Sequence, residues 1–103
     1  MVAHIKIAHI QIKLLVLALT VGACSQASGT VIGTVINVEG DLTEVHSFTV
    51  LVEGEEMVFV PTADGQYAYP LPHLRVHLLD GTPVRVGWER RGDQLLATTL
   101  DDA

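Results

Sequence analysis

After residue 29 the chain alternates between short apolar runs and turns that contain glycine, a pattern typical of β-strands. Alternation with a period of two places Phe48, Val50 and Val52 on one face of the second run. It places Met57 and Phe59 on one face of the third run, and the Glu53-Gly54 pair between the two runs predicts a hairpin turn. Five strands are predicted in all, in the segments GTVIGTVINVEG, HSFTVLVEG, EEMVFVP, TPVRVGWER and QLLATTL.

The period changes once, in the segment PHLRVHLLDG between the third and fourth runs. Leu71, Leu74 and Leu78 are spaced as i, i+3 and i+7, which indicates one apolar face of a helix. Pro72 suits the first helical position and Gly81 suits the position just past the end. The sequence therefore predicts a helix of about two and a half turns whose leucine face packs on the sheet.

The first strand is long, apolar on both faces and interrupted by Gly33, which predicts a bulge or sharp bend that lets one strand serve two parts of a curved sheet. The predicted order β-β-β-α-β-β with a bent first strand resembles the OB-fold, a small five-stranded Greek-key barrel. That resemblance implies an all-β domain with one short helix, closed into a barrel over residues 30–103. An open meander with the helix packed on one face is the alternative.

The first 23 residues have the order of a secretory signal. Residues 1–13 carry two lysines and no acid, and residues 14–23 form the apolar run LLVLALTVGA. Ten helical residues rise about 15 Å, which is roughly half of the ~30 Å hydrocarbon core of a bilayer. A permanent transmembrane helix is therefore disfavoured.

Cys24 follows this run directly. It is the chain's single cysteine, so an internal disulfide is excluded. The segment Val21-Gly22-Ala23-Cys24 resembles the lipobox of bacterial lipoproteins. The resemblance implies a signal peptide over 1–23, a Cys24 thiol linked to diacylglycerol, and a membrane-anchored envelope protein on the outer side of the cell membrane or in the outer membrane. The alternatives are an incidental cysteine near an ordinary cleavage site and a retained membrane helix.

Residues 24–29 hold the predicted lipidated cysteine and the small, polar sequence SQASG, which is typical of a flexible tether. The domain that follows is expected to stand off the membrane, because anionic headgroups repel its negative charge. Three later stretches, GDLTEVHSF, PLPHLRVHLL and GTPVRVGWE, are similar to small bacterial envelope proteins. This second resemblance implies no particular activity.

Charge excludes one class of partner. Beyond residue 23 the chain has four arginines, no lysine and twelve acidic residues, a net charge of −8. Nucleic-acid binding draws its affinity largely from Lys and Arg neutralising phosphates, so it is not expected here. Catalysis is not expected either, because this segment offers no lysine, no thiol free of the predicted lipid, and no serine with a base placed to activate it.

Two constellations remain as candidate sites. His73 and His77 are four residues apart on the predicted helix, and with Asp80 they fall away from the leucine face, a geometry suited to Zn²⁺ or Cu²⁺. The alternative is a solvated polar helix face. Tyr67 and Tyr69 lie in a loop-like segment beside prolines and are the predicted contact residues for an envelope protein or a small ligand. The other aromatic side chains are in phase with the apolar faces and are expected in the core.

Overall fold

The computed structural model describes residues 26–103, so the predicted signal peptide and Cys24 lie outside the described residues. The element order confirms the predicted β-β-β-α-β-β sequence. None of the helices in the described part of the chain is long and apolar enough to cross a membrane. The elements are β1 Ser28–Gly40, β2 Val45–Val52, β3 Glu55–Tyr67, a 3₁₀ turn Leu71–His73 that leads into α1 Leu74–Asp80, β4 Val84–Arg91 and β5 Gln94–Asp102.

The five strands form a closed barrel in the order β1-β2-β3-β5-β4, which excludes the open meander. The β3–β5 pair is parallel and the other four pairs are antiparallel. Closure gives each of these five strands a neighbour on both sides. A domain of this size needs such closure because it has few other elements with which to cover a sheet edge.

β1 closes the barrel because it pairs with two different strands. Its first half, as far as Gly33, pairs with β4, and its second half, from Thr34, pairs with β2. Gly33 lies at this change of partner, as the bend prediction requires, although the register shifts in the β1–β2 pair fall further along, between Val35 and Asn37 and between Glu39 and Gly40. A Cβ atom at Gly33 would lie 2.3 Å from the Leu51 carbonyl oxygen, so the close approach of β1 to β2 requires glycine.

The core fills the barrel with the side chains that the period-two patterns selected. Phe48, Val50 and Phe59 are fully buried, and the Phe48 and Phe59 rings lie 5.6 Å apart in a tilted arrangement. Strand β4 contributes Trp88, which is 6% exposed, and Val84 and Val86, which are fully buried. Strand alternation thus decides which residues are inside, because each strand has one face toward the barrel axis.

The strand directions assign every connection to one of two barrel ends. The first end, called here the turn end, carries the start of β1, the β2–β3 turn at Glu53-Gly54 and the β4–β5 turn at Gly92-Asp93. The second, called here the helix end, carries the β1–β2 turn of residues 41–44, α1 and the end of β5. All five side chains named as candidate sites in the described residues belong to the segment 67–80 that leads to and forms this helix end.

Candidate functional site at the helix end

Helix α1 is placed by the residues at its two ends. Pro70 is extended, and Pro72 lies in the 3₁₀ turn that precedes the helix, where its missing N–H costs nothing. Gly81 adopts a left-handed conformation with φ of 74°, and its N–H donates to the His77 carbonyl oxygen at 2.9 Å. The sequence signals for the start and the end of the helix are therefore confirmed.

The predicted apolar face of the helix is confirmed for Leu71 and Leu74 but is wrong for Leu78, whose place in the core His77 takes. The buried residues of α1 are Leu74 and His77, which are 0% and 4% exposed, whereas Leu78 is 39% exposed. His77 was expected on the solvated side together with His73 and Asp80. Its burial is favoured by the polar partners that neighbouring residues supply for Nδ1, because a hydrogen-bonded ring nitrogen costs less to bury than one without a partner.

The partners of His77 come from the turn after the helix and from the end of β5. Nδ1 lies 3.0 Å from the Thr82 carbonyl oxygen and 2.7 Å from Thr82 Oγ1. Thr82 Oγ1 donates to Asp80 Oδ1 at 2.8 Å, so both Thr82 oxygens are acceptors toward the ring and the Nδ1 N–H is the donor to them. Nε2 is buried 3.0 Å from Asp102 Oδ1 without a hydrogen bond, and this contact is an ion pair only when the imidazole is protonated.

An aromatic cluster of Tyr69, His73 and His77 lies beside these polar contacts. The Tyr69 ring centroid lies 4.6 Å from that of His73 and 5.5 Å from that of His77, and the two histidine rings are 5.1 Å apart. Burial, together with the negative charges of Asp102 and Asp101, raises the pKa of the Tyr69 hydroxyl to about 12. The Tyr69 hydroxyl is therefore protonated at neutral pH and is not a source of a reactive phenolate.

The cluster does not offer a free set of metal ligands. Both ring nitrogens of His77 face protein oxygens, and Asp80 Oδ1 accepts from the backbone and side chain of Thr82. Residues 26–103 contain no group of three or more His, Cys, Asp or Glu side chains arranged to hold a metal ion. The structure thus brings His73 and His77 together, as the spacing implied, but it uses His77 and Asp80 for internal contacts.

Tyr67 and Tyr69 are less exposed than the sequence suggested. Both are half-buried and pack against the core cluster. The Tyr67 hydroxyl donates to the Ala97 carbonyl oxygen at 2.8 Å and accepts from the Thr62 N–H at 2.9 Å, which bridges a gap in the β3–β5 pairing. The Tyr69 hydroxyl is buried without a hydrogen-bond partner among the described residues. Their predicted role in partner binding stays a prediction.

This difference between the tyrosines predicts opposite results from the same substitution. Tyr67→Phe leaves the Ala97 carbonyl and the Thr62 N–H without their partner, and we expect it to lower the free energy of unfolding by about 1–3 kcal/mol. Tyr69→Phe removes an unsatisfied hydroxyl and is expected to leave the free energy of unfolding unchanged or to raise it. Urea denaturation of the two variants measures the contrast. Equal destabilisation would contradict these hydrogen-bond assignments.

Two turns at the helix end display leucines that the sequence reasoning did not single out. Leu42, in the β1–β2 turn, is 85% exposed, and Leu79, in the last turn of α1, is 88% exposed. Arg75 connects the two leucine-bearing turns. Its Nη2 donates to the Asp41 carbonyl oxygen in the β1–β2 turn at 2.7 Å. Leu79 lies one helical turn after Arg75, on the same side of α1. We call Leu42, Leu79 and the partly exposed Val76 of α1 the leucine surface.

Each leucine turn is held by a carboxylate. Asp41 Oδ1 accepts from the Thr43 and Glu44 N–H groups and from the Thr43 hydroxyl at 2.8–3.0 Å. Asp80 Oδ1 accepts from the Thr82 N–H and hydroxyl at 2.8–2.9 Å. The Thr43 and Thr82 backbone N–H bonds are the main reason that the pKa values of Asp41 and Asp80 lie below the usual range. Both turns are therefore fixed in shape at neutral pH, which lowers the entropy cost of presenting a side chain to a partner.

The sequence holds one weak signal for each of these two leucines. Leu78 and Leu79 are adjacent, so they cannot both lie at the centre of one narrow helix face, and Leu42 stands between Asp41 and Thr43 in a segment that favours a turn. The apolar runs drew attention to buried positions, whereas an isolated leucine in a turn has no periodicity to reveal it.

Comparison with known proteins gives a structural likeness and no sequence family. No protein-family model matches the chain, and no curated protein sequence matches it. Two solved structures of similar shape are the crystal structure of Ag(I)CusF and the 1.0 Å structure of CusF-Ag(I) residues 10–88 from Escherichia coli. The first has a TM-score of 0.54 over 76% of this chain and 100% of that chain, and the second 0.55 over 77% and 96%, both at 12% identity. The chain thus has the small closed β-barrel fold of these silver-bound proteins.

Proposed function

We propose that this chain is a lipid-anchored cell-envelope protein, and that its barrel is a non-enzymatic module that binds another envelope protein through the leucine surface. The lipobox-like segment ending at Cys24 supports the anchor and an extracytoplasmic location, in the cell membrane or the outer membrane. The observation that carries the binding role is the pair of highly exposed leucines on two turns fixed by Asp41 and Asp80.

Exposed leucines on rigid turns are suited to act as anchors. Burying one Leu side chain in a partner's apolar pocket is worth about 1.5–3 kcal/mol, and a few such side chains supply most of the energy of an interface. The barrel core is complete without Leu42 and Leu79, so neither leucine is needed to fill it. Their exposure is therefore better explained by a partner than by folding.

The surrounding charge indicates what kind of partner fits. Asp41, Glu44 and Asp80 are exposed beside the leucine surface, and Asp101 and Asp102 end β5 at the same end of the barrel. Arg75 and Arg85 are the only arginines in the segments that form this end, and Arg85 pairs with Asp101 at 3.3 Å. The partner proposed is accordingly a protein with an apolar cleft and a basic rim, since complementary charge favours association and like charge opposes it.

A defined peptide pair tests this proposal. An amphipathic peptide of leucine and lysine is titrated into the isotopically labelled protein, and a leucine–glutamate peptide of the same length is the comparison. We expect amide shifts in residues 41–44 and 76–82 with the first peptide only. Leu42→Ser/Leu79→Ser is expected to weaken binding at least tenfold, because tenfold corresponds to about 1.4 kcal/mol, less than the burial of one leucine.

The matched control is Val58→Ser, which removes an apolar side chain of 53% exposure from β3, a strand of the barrel wall. This change is expected to leave the affinity for the leucine–lysine peptide unaltered. Equal affinity of the double variant and the unchanged protein, or shifts confined to the barrel wall, would contradict the proposed role of the leucine surface.

A metal-binding barrel is the second candidate, favoured by the silver ions in the two similar structures. Soft ions of this kind prefer sulfur and imidazole ligands, and residues 26–103 contain Met57, His46, His73 and His77 but no cysteine. Met57 packs against the core, Nδ1 of His77 is held by Thr82, and Nε2 of His77 is buried beside Asp102, which leaves few accessible donors. Calorimetric titration with Ag⁺, Zn²⁺ and Cu²⁺ decides the matter. Stoichiometric binding that His73→Ala or Met57→Leu abolishes would favour this candidate over the first.

A further inference from the structure

The chain is fixed to the barrel almost from the first described residue. The Arg90 N–H donates to the Ala27 carbonyl oxygen at 2.7 Å, and Arg90 Nε donates to the Gln26 carbonyl oxygen at 3.2 Å. β1 begins at Ser28, which pairs with Glu89. Most of the segment predicted to be a flexible tether, residues 24–29, is therefore part of the barrel or bound to it.

This attachment leaves very little chain between the proposed lipid and the domain. Only Ser25 separates Cys24 from Gln26. Two Cα–Cα steps of 3.8 Å span at most about 7 Å. A lipid on Cys24 would thus hold the turn end of the barrel, where β1 begins, against the headgroup layer, and not at the distance that a free tether would allow.

We infer that the barrel rests on the bilayer at its turn end, with the β4–β5 turn against the phospholipid headgroups and the leucine surface directed away from the membrane. This inference rests on the proposed lipid anchor. It follows from the strand directions, because β1 begins at the turn end, whereas α1 and residues 41–44 lie at the other. It also explains why the leucines are available to a protein partner instead of to lipid.

Charge decides which side of the turn end faces the headgroups. The β2–β3 turn carries Glu53, Glu55 and Glu56 and no cation, so anionic headgroups repel it. The β4–β5 turn carries Arg90 and Arg91, which balance its two acids, and the Arg91 side chain is 75% exposed. Arg90 also adjoins Gln26, where the chain leads to the lipid. The neutral, arginine-bearing turn is therefore the contact edge.

Fluorescence quenching in vesicles tests the orientation. The full chain is processed in a lipoprotein-producing bacterial host and reconstituted into phosphatidylethanolamine–phosphatidylglycerol vesicles with spin-labelled headgroups. A fluorophore is attached at Asp93→Cys, Glu55→Cys or Thr43→Cys, since the thioether to diacylglycerol leaves no free thiol at Cys24. We expect quenching at residue 93 at least fivefold stronger than at residue 43, with residue 55 between them. Equal quenching at 43 and 93, or stronger quenching at 43, would overturn the inference.

A lengthened tether provides the second arm. Eight Gly/Ser residues inserted between Ser25 and Gln26 are expected to reduce the difference between residues 93 and 43 at least twofold, while the same eight residues appended after Ala103 leave it intact. A difference unaffected by the insertion would show that the short tether does not set the orientation. Vesicle flotation separates the two proposals: failure to float removes the lipid anchor and the orientation with it, whereas floating protein without the quenching difference removes the orientation alone.

Discussion

Gly33→Ala is expected to prevent the barrel from closing in its native register. The added Cβ would lie 2.3 Å from the Leu51 carbonyl oxygen and 2.7 Å from Val50 Cγ1, and the first of these is backbone that cannot move without shifting β2. Overpacking of a core costs typically about 1–3 kcal/mol, and more where backbone must move. Because small domains have a total stability of only about 5–15 kcal/mol, we expect a largely unfolded protein or a strongly lowered denaturation midpoint.

Urea denaturation followed by circular dichroism measures this effect. Gly54→Asn is the control, since Gly54 lies in the open β2–β3 turn with φ of 83°, a conformation that asparagine tolerates, and nothing lies within 4 Å of a Cβ there. We expect this control to unfold close to the midpoint of the unchanged protein. A Gly33→Ala protein with an unaltered midpoint would show that β1 does not approach β2 as closely as described.

Cys24→Ser is expected to move the protein from the membrane fraction to the soluble fraction of the envelope, or to leave its precursor unprocessed. Several acyl chains, each contributing about 0.8 kcal/mol per buried CH₂, hold a protein on a bilayer almost permanently. The serine hydroxyl cannot form the thioether, so the anchor is lost completely. Fractionation by ultracentrifugation measures the change, with Ser25→Ala as the neighbouring control that keeps the thiol. Unchanged membrane recovery and unchanged size for Cys24→Ser would contradict lipid anchoring.

The positions of the strands follow from the sequence because they depend on short-range patterns. Period-two alternation places Phe48, Val50 and Phe59 inside, and Gly33 signals the place where β1 changes partner. The strand order itself, with β3 parallel to β5, depends on contacts between distant residues that no local pattern contains. The resemblance of the element order to the OB-fold implied a closed barrel but no particular strand order.

The helix phase and the tether were not predictable in the same way. A helix of seven residues has too few apolar positions to fix its orientation, and hydropathy alone favours Leu78 over His77. His77 is buried because Thr82 and Asp102 approach its ring, and Asp102 is 25 residues further along the chain. Likewise, the small polar sequence that indicates a flexible tether gives no sign that Arg90 binds Gln26 and Ala27.

Mass spectrometry of the protein purified from bacterial membranes tests the central claim most directly. We predict a polypeptide that begins at Cys24 and whose Cys24 sulfur carries a diacylglyceryl group. An unmodified polypeptide that still begins at Met1, or one cleaved elsewhere with a free Cys24 thiol, would contradict it.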